Sequence, residues 1–375
     1  MSNWTTCKLG EVLTLKRGYD LPQAERSPGP YPIVSSSGVT DFHCEAKVKG
    51  PGVVTGRYGT LGQVFYVESD FWPLNTSLYV QDFKGNDRRF VSYLLQKLDF
   101  GAKNAAGAVP GVNRNHLHAM EISVPSASVQ ARIAGILSAY DELMENSHRR
   151  IRVLEEMARA LYREWFVHFR FPGHEKVSHV ASSLGRIPKG WEVRGLKEVA
   201  TVTYGFPFAS KKFNTDGIGT PVIRIRDIPE GFSPTFIEED ADLKYHVKDG
   251  HILVGMDGDF HMCVWSSGHA FQNQRVARFE SNGEIGNFHL FLALEKPIQQ
   301  FNKAIVGTTV AHLGDMHIKT IQLVWPPERI RERAREVLEP ISERIATLKR
   351  QIHNLRRTRD LLLPRLLSGQ IEVAA

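Results

Sequence analysis

A few short clusters in this 375-residue sequence carry residue types that can do chemistry. Gly56-x-x-Gly59-x-x-Gly62 has the glycine density of a phosphate cradle, but it lacks the P-loop lysine and misses the dinucleotide spacing. Turns between strands explain those glycines better. His43-Cys44 and His116-x-His118 are metal-ligand types without a second ligand pair at zinc-site spacing, so ordinary histidines are expected and no metal. Asp257-Gly258-Asp259 starts like a calcium loop, but the oxygen ligands that would complete one do not follow. No serine occupies a nucleophile elbow and the kinase signatures are missing, so no catalytic residue is assigned.

The polar loops suit a different chemistry. The first half carries Lys16-Arg17-Gly18-Tyr19, Ser35-Ser36-Ser37-Gly38, Gly56-Arg57-Tyr58-Gly59 and Val112-Asn113-Arg114-Asn115-His116, each at the edge of a predicted strand or helix. The second half carries Tyr204-Gly205-Phe206, Ser210-Lys211-Lys212, Arg224-Ile225-Arg226-Asp227 and Gln272-Asn273-Gln274-Arg275. Arginine forks match guanine edges and asparagine matches adenine, while serines and glycine-adjacent amides suit phosphates. Single clusters of this kind are as often plain solvated loops; their recurrence in both halves favours recognition. Arg329, Arg331, Arg333, Arg335, Lys349, Arg350, Arg356, Arg357 and Arg359 add a basic segment near the end, readable as a phosphate track or as a charged solvent face.

The elements that must position these loops are written twice. Trp4, Leu9, Glu11, Val12 and Gly18 recur 187 positions later as Trp191, Leu196, Glu198, Val199 and Gly205. Gly56 and Gly59 answer Gly255 and Gly258, and Gly107 answers Gly307. Leu117, Met120, Ile122 and Pro125 answer Ile318, Ile321, Leu323 and Pro326. Each copy mixes short strand-like runs with one helix, Phe90 to Leu98 or Phe288 to Phe301, and closes on a long stretch free of interior glycine. In the first stretch an apolar stripe runs through Leu137, Tyr140, Met144, Ser147, Ile151, Leu154, Ala158, Leu161 and Trp165; the second runs through Leu338, Ile341, Ile345, Leu348, Ile352, Leu355, Arg359 and Leu362. Neither helix can bury its stripe alone, so the two are expected to pack on each other. Pro340 is expected either to kink the second or to move its start later. Ser178 to Gly190, rich in breakers, reads as a loop.

The fold class that follows is α+β: two mixed domains, each followed by a long helix, with the helices packed as a coiled coil. The divisions expected are a first domain over 1–125, its helix over 126–171, a linker over 172–190, a second domain over 191–326, and a second helix and tail over 327–369.

Composition agrees with such an architecture. Hydrophobic residues at 42% and charged residues at 23% fit a folded chain, and no apolar run reaches a membrane span of about 18 residues. The start lacks a secretory pattern, so a cytoplasmic location is expected. Three scattered cysteines, Cys7, Cys44 and Cys263, write no disulfide framework and are read as buried thiols. A net charge of +6 is a mild bias toward polyanions.

Four signatures carry a resemblance. They are Trp4-x-x-x-x-Leu9-Gly10-Glu11-Val12, then Leu154-Glu155-Glu156-Met157-Ala158-Arg159 with Tyr162-Arg163-Glu164-Trp165-Phe166, then Ile187-Pro188-Lys189-Gly190-Trp191, and finally Leu362-Leu363-Pro364-Arg365-Leu366-Leu367-Ser368-Gly369. In that order and over the whole chain, the sequence resembles the specificity subunit of type I DNA restriction-modification systems. The resemblance implies two mixed α/β target-recognition domains that each read one half of a split site in double-stranded DNA, with the two helices packed as an antiparallel coiled coil that acts as a ruler. It also implies two methyltransferase (modification) subunits using S-adenosylmethionine, and motor and nuclease (restriction) subunits using ATP and magnesium. No cofactor is expected in this chain itself. Met256-Asp257-Gly258-Asp259 is acidic where the first copy has Arg57-Tyr58, so the domains are expected to read unlike half-sites, with Asp257 counted among the contacts. Tyr162, Trp165 and Phe166, expected to be exposed, are candidates for docking a modification subunit, against the alternative that they only seal the bundle. Two rival readings stand beside this one: a coiled-coil scaffold with two protein-binding adaptors, and an enzyme active without partners.

Overall fold

The computed structural model describes residues 4–98, 111–304 and 312–373. Gly107 and Gly307 lie outside the described residues. The chain divides into two units, one formed by Met1–Glu145 with Asn354–Ala375 and the other by Asn146–His353, so each contains a part of both long helices.

In the first unit an antiparallel sheet orders its strands Thr14–Arg17, Ser77–Asp82, Gly52–Gly56 and Val64–Val67, with Leu15 opposite Val80 and Val54 opposite Tyr79. A second sheet orders Gly38–His43, Tyr31–Ser35 and Trp72–Pro73, the last pair running parallel. The second unit repeats the plan. Its main sheet orders Ala200–Tyr204, Val276–Ser281, Ile252–Gly255 and Met262–Val264. Its smaller sheet orders Phe236–Ile237, Thr220–Ile223, Ala270–Gln272 and His246–Val247, again with a parallel pair, Thr220–Ile223 against Ala270–Gln272.

The repeated Leu-x-Glu-Val has a physical cause. Leu9 and Leu196 open one-turn helices and are fully buried, as are Val12 and Val199. The Glu11 carboxylate turns back to accept the Lys8 amide at 3.0 Å, and Glu198 accepts the Gly195 amide at 2.9 Å, satisfying a donor the short helix leaves open. The amides of Leu9 and Leu196 then bond the carbonyls of Met120 and Ile321, which ties the start of each repeat to its end. Gly18 and Gly205 recur because a Cβ there would overlap the carbonyls of Pro73 and Leu74, or of Gln272 and Asn273.

The helix Arg88–Lys97 is capped by the Asp87 side chain on the Phe90 amide and buries Phe90, Val91, Leu94 and Leu95 on one face. Its counterpart, Asn287–Ala304, is longer and contains Pro297. The long helices span Ala127–Tyr162, continued by a π-turn over Arg163–Val167, and Glu328–Leu366. In the first unit, Leu366 and Leu367 share a core with Val129, Ile133 and Leu137, while Arg359 reaches Asp141 further along, so the helices run in opposite directions. Ile151 and Ala158, and Leu338, Ile345, Leu348 and Ile352, are buried in the second unit; Leu154, Leu161, Leu355 and Leu362 are half-buried.

Four expectations need correction. Of the two outcomes expected of Pro340, the later start does not occur: the second long helix starts at Glu328 and runs through Pro340. The first begins ten residues before Leu137 and so contains Gly135, which faces open space. Residues 178–190 are not a loop: His179–Ser182 and Gly185–Pro188 form a hairpin that turns at Ser183 and Leu184, with Gly185 at positive φ where the second strand starts. Of the cysteines only Cys263 is buried; Cys7 is half-buried and Cys44 exposed.

Candidate nucleic-acid interface

In both units the loops at one rim of the main sheet are laced by the same five backbone bonds. In the first, Gly18 N donates to Ser77 O, Tyr19 N to Pro73 O, Leu74 N to Val34 O, Arg57 N to Thr76 O and Val112 N to Arg57 O, at 2.8 to 3.1 Å. In the second, Gly205 N donates to Val276 O, Phe206 N to Gln272 O, Asn273 N to Ile223 O, Met256 N to Arg275 O and Leu313 N to Met256 O, at 2.7 to 3.1 Å. The rim gathers Arg17, Tyr19, Ser36, Arg57, Tyr58 and Asn113 in one unit, and Tyr204, Arg224, Asp257, Gln274 and Arg275 in the other. Rigid strands thereby hold loops whose side chains are free to vary.

The side chains at equivalent places differ. In the first unit Arg17 pairs with Asp20 at 3.2 Å, and Asn75 bonds the same carboxylate. Tyr19 and Tyr79 share a hydroxyl hydrogen bond of 3.0 Å, which with Lys16 and Lys47 nearby draws the Tyr19 pKa down. Burial, first, and the same partner push Tyr79 up. The Arg57 guanidinium lies 4.6 Å over the Tyr58 ring, and that ring covers Gly111, where any Cβ would collide with it. Asn113 caps the short helix Arg114–His118 by accepting the Asn115 amide, so its side chain is engaged in the fold. Arg114 and Asn115 are exposed at the helix start, and Arg114 has no ion pair among the described residues.

In the second unit the residue that opens the matching helix Asp315–Lys319 is an acid. Asp315 accepts from Lys197 at 2.7 Å and Tyr204 at 2.9 Å, and pairs with Lys319 at 2.6 Å. Those partners hold its carboxyl far below the usual range, the Lys197 hydrogen bond foremost. Asp257 is clasped by His312 Nδ1 at 2.6 Å and Arg275 Nη1 at 2.9 Å. Tyr204 is thus directed inward to Asp315 rather than outward, and burial, first, raises its pKa.

Three further predicted contacts are taken up by the fold. Ser35 is buried, its hydroxyl bonding Ser37 Oγ and the Gly38 carbonyl, which closes the turn they flank. Arg224 bonds Thr235, bonds the buried Asp227 through its backbone amide and its side chain, and lies 5.9 Å from the Phe213 ring. Lys212 reaches Glu239 at 2.8 Å. Lys211, Arg226 and Gln274 are exposed and Ser37 stands at the turn tip. Asp20, Asn75, Lys197, His312, Asp315 and Lys319 were not singled out from the sequence. Pairing Arg114 with the residue 201 positions later would have found Asp315.

The aromatic residues ending the first long helix are not an exposed patch. Phe166 is buried against His289 at 4.4 Å and Trp191 at 5.9 Å, and Tyr162 and Trp165 are half-buried beside it, because the chain returns through Phe171 to pack on Trp191. No group of three metal-ligating side chains that could hold an ion occurs among the described residues, and no described helix is long and apolar enough to cross a membrane.

The model of the type I restriction modification DNA specificity domain matches residues 1–156 and again 188–357, and the chain belongs to that family. It is 25% identical over 281 residues to the MjaIX specificity subunit of Methanocaldococcus jannaschii, over 70% of this chain and 63% of that one. It is 29% identical over 208 residues to the EcoBI specificity subunit of Escherichia coli, over 54% of this chain and 44% of that one. Less than two thirds of either relative is therefore spanned. The crystal structure of the type I S subunit from M. genitalium has the same fold, with a TM-score of 0.64 at 18% identity over 97% of this chain and 96% of that one.

Proposed function

We propose that this chain is the sequence-reading subunit of a type I restriction-modification assembly. Each recognition domain, 1–125 and 191–326, reads one half of a bipartite site in duplex DNA, and the paired helices fix the unread gap. The observation that carries the reading is the fivefold recurrence of one loop scaffold with unlike side chains on it. A duplicated adaptor for one protein partner has no need to change charge at matching positions, whereas reading two unlike half-sites demands it. Methylation by S-adenosylmethionine, and ATP- and magnesium-dependent cleavage, then belong to partner subunits, with this chain non-catalytic.

Selection by the full chain from a random duplex library at low salt tests this. The expected product is two short fixed blocks at one spacing. Indifference to competing duplex would favour the adaptor scaffold, and methyl transfer or cutting by the purified chain alone would favour an enzyme.

A further inference from the structure

Three positions of the rim change together between the units. In the first they are Tyr58, Thr76 and Gly111; in the second, Asp257, Arg275 and His312. Their equivalence is fixed by the backbone. Residues 58 and 111 form an isolated antiparallel bridge, as do 257 and 312, and residues 76 and 275 each accept the amide preceding that bridge residue. The two sets are alternative solutions. A tyrosine ring over the bridge partner requires glycine at 111, and a carboxylate in its place leaves room for the His312 side chain, which bonds it.

In the second solution both Asp257 oxygens are committed. Oδ1 faces His312 at 2.6 Å and Oδ2 faces Arg275 Nη1 at 2.9 Å, with the Asp257 side chain only 20% exposed. Arg275 is 55% exposed and belongs to a loop pinned by the Met256 amide on its own carbonyl. A guanidinium ion-paired at one nitrogen with a carboxylate is restrained in where it can reach, and its other N–H groups remain for a second, planar acceptor pair. In the major groove that pair is guanine O6 and N7.

Resting on the function proposed above, we infer that Arg275 reads one guanine in the half-site of the second unit, and that Asp257, steadied by His312, is the positioning residue that aims it. The carboxylate also disfavours the acceptor-only minor-groove edge of an A·T pair, because like partial charges would face each other.

The test is the same random-duplex selection, run with the full chain, Arg275→Ala, Arg275→Lys and Asp257→Asn, with thermal unfolding to confirm that each variant is folded. The wild type is expected to fix a guanine that Arg275→Ala releases by about ten- to a hundredfold in preference, with other positions unmoved. Asp257→Asn, which keeps the shape but loses the charge, is expected to weaken preference at that same guanine by several-fold, and Arg275→Lys is expected not to restore it. Equal loss on all sequences after Arg275→Ala, or a change at a different base pair after Asp257→Asn, overturns the assignment while leaving bipartite reading intact. Failure of the wild type to enrich any site overturns both.

Discussion

Arg359 and Asp141 are 218 residues apart in the sequence and 2.6 Å apart in the fold, Nη1 to Oδ1. The other carboxylate oxygen accepts the Tyr93 hydroxyl at 2.6 Å, so one acid joins both long helices to the helix Arg88–Lys97 of the first unit. Burial first, and then this acid as hydrogen-bond acceptor, raise the Tyr93 pKa. The pair is about a quarter to a third exposed, between the surface and buried cases. Arg359→Met is expected to cost about 1–2 kcal/mol in urea unfolding. Asp141→Ala should cost more, since it also strands Tyr93, and a double-mutant cycle should return a nonzero coupling.

The recurring glycines give a second expectation. Gly18→Ala and Gly205→Ala force a methyl into carbonyl oxygens of the neighbouring loop and should each destabilise by about 1–3 kcal/mol. Gly135→Ala, mid-helix and open, should instead stabilise by about 0.5–1 kcal/mol. Chemical denaturation of the three variants checks both signs; a neutral Gly18→Ala would mean that the loop yields.

His289 is expected to make the second unit sensitive to acid. It is buried between Tyr162 and Phe166, its Nδ1 has no hydrogen-bond partner among the described residues, and burial, with Arg331 and Arg335 nearby, pushes its pKa down to about 3. The unfolded chain takes up a proton near pH 6.5 and the folded chain does not, so stability is full above about 6.5 and falls as pH drops toward 3. The slope is about 1.4 kcal/mol per pH unit, or about 2 kcal/mol lost between pH 6.5 and 5. His289→Leu should flatten this dependence with little loss at pH 7, because it removes an unsatisfied polar atom. Unfolding of both chains at pH 5 and 7 decides the matter; parallel losses would assign the acid sensitivity to another group.

How far the sequence goes follows from the same residues. Leu9, Glu11, Val12 and Gly18 recur because both units make the same demands of them: Glu11 accepts a neighbouring amide, Leu9 and Val12 fill the core, and Gly18 leaves room for the carbonyls of Pro73 and Leu74, and a demand made twice shows as a repeat. The helical stripes were legible because their period is local. Residues 178–190 were not, because a four-residue strand beside breakers has no period to read. The covering of Tyr162, Trp165 and Phe166 was not legible either, because Trp191 and His289, which pack on this cluster, arrive from distant positions. The roles of Asp315 and His312 depend on Lys197, Tyr204 and Asp257, which only the folded rim brings near.

The proposed ruler makes the most demanding prediction. The long helices contain 36 and 39 residues, about 54 and 58 Å. One heptad inserted into both at facing levels adds about 10 Å and turns the apolar seam by only about 20°, so the packing stays in phase. At about 3.4 Å per base pair the preferred gap should grow by roughly three base pairs. Three base pairs also rotate a half-site by about 100° around the duplex, since a turn takes about 10.5. The lengthened protein should therefore bind more weakly than the parent, even at its new best spacing. Three heptads, about 31 Å or roughly nine base pairs, bring the half-site nearly back to its original face and should recover most of the affinity. Selection on duplexes with graded spacers reads both effects at once. A gap that does not move rejects the helices as the ruler, and a gap that moves without the loss and recovery of affinity shows that the domains swivel on them.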